Sequence, residues 1–128
     1  MRKHVPLIFA LVLLLGGCAG NGATARSGRS DMIVQEQLQG RGFASAYDAI
    51  EALRGNWLRT RGRTTLTGPE LEIQVYMDNT HLGAVETLRQ IPAVNVAYIQ
   101  WYNANDATAR WGIGHGAGAV YVSTTPGR

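Results

Sequence analysis

The strongest constraint on what this chain can fold into is the change of hydrophobic period between Glu72 and Thr124. Ile73, Val75 and Met77 alternate with Gln74, and a period of two marks a half-buried strand. Asp78-Asn79-Thr80 is turn chemistry, because short polar side chains bond nearby backbone and tolerate left-handed angles. Leu82, Val85, Leu88 and Ile91 then recur every three residues, which predicts one face of a helix. Pro92 ends it, since the residue before proline is pushed out of helical angles. Val96 to Tyr102 is rich in β-formers and predicts a second strand. Asn103 or Asn105 is placed to cap a short helix through Arg110. Gly112, Gly114, Gly116 and Gly118 make a loop, and Ala119 to Thr124 is a third strand.

Upstream, the clearest helix starts at Ser45. Its hydroxyl is placed to cap free amides, with Asp48 three residues on, the spacing of a capping box. Tyr47, Ile50, Leu53 and Trp57 give an amphipathic face, and Gly55 is a natural terminator. Trp57-Leu58-Arg59 is expected to continue as an extended piece that buries Trp57 and Leu58. Arg59, Arg61 and Arg63 alternate, so on a strand they share a face. They read as a solvated edge kept from pairing by charge, with an anion-binding surface for phosphate or carboxylate as the alternative. Gly62 to Pro69 is expected to be a polar loop or hairpin connection.

Arg2, Lys3 and His4 precede an apolar run from Val5 to Leu15. That run is too short to span a bilayer, which takes about 20 residues, and it suits a secretory signal. Leu15-Gly16-Gly17-Cys18 then resembles a bacterial lipobox. The resemblance implies lipidation of Cys18, cleavage before it and acylation of the new amine. Cys18 is the only cysteine of the chain. Three acyl chains exceed the two signals that stable anchoring takes, so the protein is expected to sit on a membrane without spanning it. Ala19, where aspartate would retain a lipoprotein at the inner membrane, favours the outer membrane and a periplasm-facing domain. Removing residues 1–17 from the 128 leaves 111, enough for one domain. The signal takes Arg2 and Lys3 with it, so ten arginines oppose nine carboxylates. A net charge of +1 makes no electrostatic case for nucleic acid. Residues 18–30 are small, polar and glycine-rich, a flexible tether, and residues 31–128 form the domain.

The stretch from Val75 to Thr125 resembles the plug domain of TonB-dependent outer-membrane receptors. Val75-Tyr76-Met77-Asp78-Asn79 stands where that family has a strand ending in a Tyr-Val-Asp-Gly-like turn. Leu88-Arg89-Gln90-Ile91-Pro92 matches its Leu-x-x-Ile-Pro helix ending. Val96 to Tyr102, Ala104 to Gly112 and Gly118 to Thr125 match its following strand, small-residue segment and glycine-led strand. Asn79 replaces the usual glycine and Trp111 the usual tyrosine. Ala46 to Arg54 with Trp57-Leu58 extends the resemblance to most of the domain. A receptor carries a barrel after its plug, and these 128 residues hold no room for one, so a stand-alone plug-like lipoprotein is expected. The resemblance implies an outer-membrane barrel or a TonB-like protein as partner. Asp31, Met32, Ile33 and Val34 loosely match the box that pairs with TonB by strand addition. The same residues also read as an opening strand of the fold, which is the preferred reading, with Glu36 to Gln39 starting a turn of helix.

No chemistry-bearing constellation emerges. No serine sits in a Gly-x-Ser-x-Gly elbow. Past the signal only His81 and His115 remain, without metal-ligand spacing. The loop from Gly112 to Gly118 precedes a strand, whereas a phosphate cradle opens a helix, so its glycines are read as permitting a bulge or tight packing. Tyr98 and Tyr102 share one strand face and Ile99 and Trp101 the other. One face must pack on helices, and an open aromatic face would suit sugar or protein contact. The expectation is an α+β fold: a small mixed sheet of about four strands with two to three helices. It binds rather than catalyses, without cofactor or metal.

Overall fold

The computed structural model describes residues 31–59 and 72–127. Cys18, the tether, Arg61, Arg63 and the connection from Gly62 to Pro69 lie outside the described residues. The fold is α+β, with one five-stranded mixed sheet. Its strands are β1 (Met32–Val34), β2 (Gln74–Met77), β3 (Thr80–Ala84), β4 (Tyr98–Tyr102) and β5 (Ala119–Ser123). The helices are α1 (Gln35–Gln39), α2 (Ala46–Arg54) and α3 (Ala104–Trp111), with 3-10 turns at Gly55–Leu58, Val85–Gln90 and Ala93–Asn95.

The strands lie in the order β1-β4-β5-β2-β3. The β2–β5 pair is parallel, and the other neighbours are antiparallel. Central β5 is buried along its whole length, so its apolar side chains serve both faces. Val120 and Val122 point with Ile33, Val75 and Ile99 into an aliphatic core closed by Leu38, Ile50, Trp57 and Leu88. Ala119 and Tyr121 point the other way, with Tyr76, Tyr98 and Tyr102, under Ala107 and Trp111 of α3.

Local signals set the helix starts. Ser45 Oγ accepts the Asp48 N–H at 3.2 Å and Asp48 Oδ2 accepts the Ser45 N–H at 3.1 Å, the reciprocal capping box that the spacing predicts. Asn103 Oδ1 accepts the amides of Asn105 and Asp106 at 2.9 and 3.0 Å, so Asn103 rather than Asn105 caps α3.

Two expectations are corrected. Asp78 and Asn79 do turn the chain, with φ of 46° and 71°. Two consecutive left-handed residues make the turn type whose twist matches a hairpin, so a strand, β3, follows directly. Leu82 therefore lies in a strand, not on a helix. Val85 and Leu88 belong to a 3-10 turn over Val85–Gln90, and Ile91 follows it as an extended cap. A recurrence of three is the 3-10 period of 3.0 residues, whereas an α-helix repeats at 3.6. The piece after Gly55 is also 3-10 rather than extended. Gly55 stays right-handed at φ −52°, so the helix tightens there instead of unwinding. Trp57 is buried as predicted and Leu58 half-buried.

Candidate functional site

The end of the sheet where β1 begins and β4 finishes carries a cleft of about 360 Å³. Such a volume lies within the range that small ligands occupy. Its floor is made by Trp57 and Trp101, whose rings lie 6.2 Å apart and 19° from parallel. Its polar walls come from Asp31, Asn56, Arg59 and Asn103, with Gly116 and Ala117 of the glycine loop on the far side. Each residue has a local reason to be there. The Trp101 N–H donates to the Asp31 carbonyl at 2.8 Å, which extends the β1–β4 ladder and fixes Asp31 at the rim. The 3-10 turn after α2 carries Asn56 outward as it buries Trp57. Gly118 admits the Trp101 ring: a Cβ there would lie 2.8 Å from the indole and 2.7 Å from the Tyr102 carbonyl.

Two sites predicted separately thus meet. Asp31, from the partner-binding segment, and Arg59, from the arginine run, line one cleft, facing it with opposite charges. The rest of the partner-binding segment does not reach it as side chains. Met32, Ile33 and Val34 are β1 itself, paired with Gln100, Ile99 and Tyr98, and Ile33 is fully buried. Among the described residues the segment is an edge strand of this sheet, with one hydrogen-bonding side given to β4. Asn103 spends its amide on the helix cap and on Asp106. Among the described residues the cleft offers hydrogen bonds and ring faces to a guest.

The other side of the glycine loop holds an aromatic latch. His115 is buried; its Nδ1 lies 2.8 Å from the Gly112 carbonyl and its Nε2 2.7 Å from the Tyr76 hydroxyl. A carbonyl accepts only, so Nδ1 carries the proton, and in that tautomer Nε2 accepts from the Tyr76 hydroxyl. Tyr76 is stacked on Trp111, with centroids 4.2 Å apart and planes 8° from parallel. Burial raises the pKa of the Tyr76 phenol, and chiefly burial raises that of Tyr121, so both stay protonated hydroxyls in neutral solution. Arg110 lies about 5 Å from the ring centroids of Tyr102, Trp111 and Tyr121 and donates to the Tyr102 hydroxyl at 2.8 Å. The aromatic face is therefore largely closed: Tyr76 and Tyr121 are buried, and Tyr98, Tyr102 and Trp111 are half-buried.

Sequence reasoning missed this latch, because Tyr76 and His115 stand 39 residues apart. The available signal was a lone histidine inside a glycine string, opposite a tyrosine on the same strand face as Tyr121. His81 is an exposed strand residue, its Nε2 2.7 Å from Gln74 Oε1. Among the described residues no three His, Cys, Asp or Glu gather as a metal site, and no helix is long and apolar enough to cross a membrane. Set beside family models, curated proteins and solved structures, the chain finds no match in any of the three.

Proposed function

We propose that this chain is a non-catalytic outer-membrane lipoprotein, held by acyl chains on Cys18, whose plug-like domain acts as a binding or accessory module for uptake across the outer membrane. The cleft is the observation that carries the binding role: Asp31 and Arg59 face one space over a paired-tryptophan floor. The element order supports the plug-like reading. A strand and turn at Gln74–Asn79, a 3-10 turn before Ile91-Pro92, a strand, a helix ending at Trp111, a glycine loop and a final strand keep the order that the resemblance leads one to expect, with β3 inserted after the turn and a 3-10 turn in place of the helix. The second reading is an assembly partner of a separately encoded TonB-dependent barrel. The edge position of β1 among the described residues favours it, because an edge strand offers its outer side for pairing with another chain.

Fractionation tests the anchor. The wild-type chain should stay with outer membranes through a high-salt wash and Cys18→Ser should be released. A Cys18→Ser protein that still sediments with membranes after the wash would rule the anchor out. Purifying the lipidated chain in mild detergent separates the two roles. An equimolar barrel protein carried through the purification supports assembly, and recovery without one supports the binding module.

A further inference from the structure

Two aliphatic side chains stand almost bare of protein contact: Val94, 73% exposed, and Ile113, 95% exposed. They belong to opposite ends of the β4–β5 ladder. Val94 precedes β4, where Tyr98 faces Ser123, and the Ile113 loop enters β5 where Ala119 faces Tyr102. Ile113 sits between Gly112 and Gly114, whose φ values are 93° and 104°, a backbone that only glycine adopts readily. The loop around it is pinned. The Gly112 N–H donates to the Thr108 carbonyl at 2.8 Å, and His115 ties the Gly112 carbonyl to the Tyr76 hydroxyl. Ile113 is thus held outward by an ordered frame, in a position where it contributes no packing. Beside it in the chain stand exposed Arg110, whose guanidinium donates to the Tyr102 hydroxyl and to Asn79 Oδ1 and carries further N–H donors, and the half-buried indole of Trp111. A cation, an amphipathic ring and a bare aliphatic group within four residues make the composition of a membrane–water interface. The same loop continues into Gly116 and Ala117, which line the cleft beside Asp31, the residue through which the tether segment joins the domain.

We propose that the Arg110–Ile113 corner is the domain's contact with a lipid surface, with Ile113 entering the boundary between headgroups and acyl chains and Arg110 facing lipid phosphate. This rests on the lipid-anchor reading above. Acyl chains dominate the affinity of an anchored protein, so the corner decides which end of the domain faces the bilayer rather than whether the protein binds. One side chain and one charge are enough for that, because the tether keeps them at high local concentration.

The test uses the full lipidated chain in vesicles of phosphatidylethanolamine and phosphatidylglycerol. A fluorophore is placed on Ile113→Cys or, as control, on Val94→Cys; both sites are exposed, and an acylated Cys18 takes no label. Spin-labelled lipids should quench the probe at 113 several-fold more than the probe at 94. Equal quenching would overturn the inference while leaving the anchor intact. Protection of the probe at 113 in native membranes but not in pure lipid would also overturn it, and would identify a protein partner instead. Labelling of Cys18 itself would remove the anchor reading and this inference with it.

Discussion

On one side of the sheet Ile33, Val75, Ile99, Val120 and Val122 meet Leu38, Ile50 and Leu88. On the other, Tyr76, Tyr98, Tyr102 and Tyr121 meet Ala107 and Trp111. The first side is closed chiefly by burial, which has no preferred direction and scales with area, with the Trp57–Trp101 pair at its margin. The second is closed by ring stacking, a cation over ring faces and one buried hydrogen bond, all of which depend on orientation. The comparison teaches a division of labour. The aliphatic side carries most of the stability. The aromatic side fixes the conformation of the glycine loop, and with it the far wall of the cleft and the position of Ile113.

The largest blow to that comparison is Leu88→Asp. Leu88 is fully buried, and an unpaired interior charge costs about 4 kcal/mol or more, close to the whole stability of a small domain. Glu86→Ala, exposed on the same 3-10 turn, should stay within about 0.5 kcal/mol of wild type. Equal melting temperatures for the two variants would mean that the aliphatic side does not carry the fold.

Next comes Gly118→Ala, where the two sides meet. Its φ of 91° and the close approach of Trp101 and the Tyr102 carbonyl combine backbone strain with overlap, for about 2–4 kcal/mol. Gly114→Ala has a similar φ of 104° but open space, so strain alone should cost about 1 kcal/mol. Denaturant midpoints compare them, and a Gly114 variant as damaged as the Gly118 one would refute close packing as the reason for Gly118.

Tyr76→Phe keeps the stacked ring but removes the hydroxyl that His115 accepts from. It should cost about 1–2 kcal/mol and loosen the glycine loop, read as faster amide exchange around His115. Unchanged exchange there would show that the latch does not hold the loop.

The smallest effect lies at the rim. Asp78 accepts from the Thr124 hydroxyl, from the Thr124 N–H at 3.0 Å and from Ser123 at 3.4 Å. These bonds, the Thr124 hydroxyl first, hold its carboxyl below the ordinary aspartate range. The folded value lies under the unfolded one, so the clamp's stabilisation is present above the unfolded value. It is lost as pH falls through the folded one. The site is exposed, so the effect should not exceed about 1 kcal/mol. Asp78→Asn should lack that component, and superimposable acid-unfolding curves would remove the clamp from the account.

Where a signal and its partner lie within one turn, the chain could be read directly. Ser45 finds Asp48, Asn103 finds the amides of the next turn, and Asp78-Asn79 makes its bend from its own backbone preferences. Strand faces were legible too, because alternation at Ile73, Val75 and Met77 needs only the pleat. The misreading at Leu82 has a physical origin. Spacings of three suit an α-helical face and a 3-10 turn alike, and only pairing of Thr80 with Met77 settles that a strand comes first.

What the sequence determined by itself is therefore local: the caps, the turn at Asp78, the faces of the strands and the α+β class. What tertiary structure decided is everything that needs distant residues to meet. It set the order β1-β4-β5-β2-β3, brought Asp31 and Arg59 to one cleft, seated Trp101 on Gly118 and joined Tyr76 to His115. Local hydrogen bonds form at little cost in chain entropy and leave a short-range mark. Contacts across tens of residues form only once the whole core has paid for closing the chain, and no spacing in the sequence announces them.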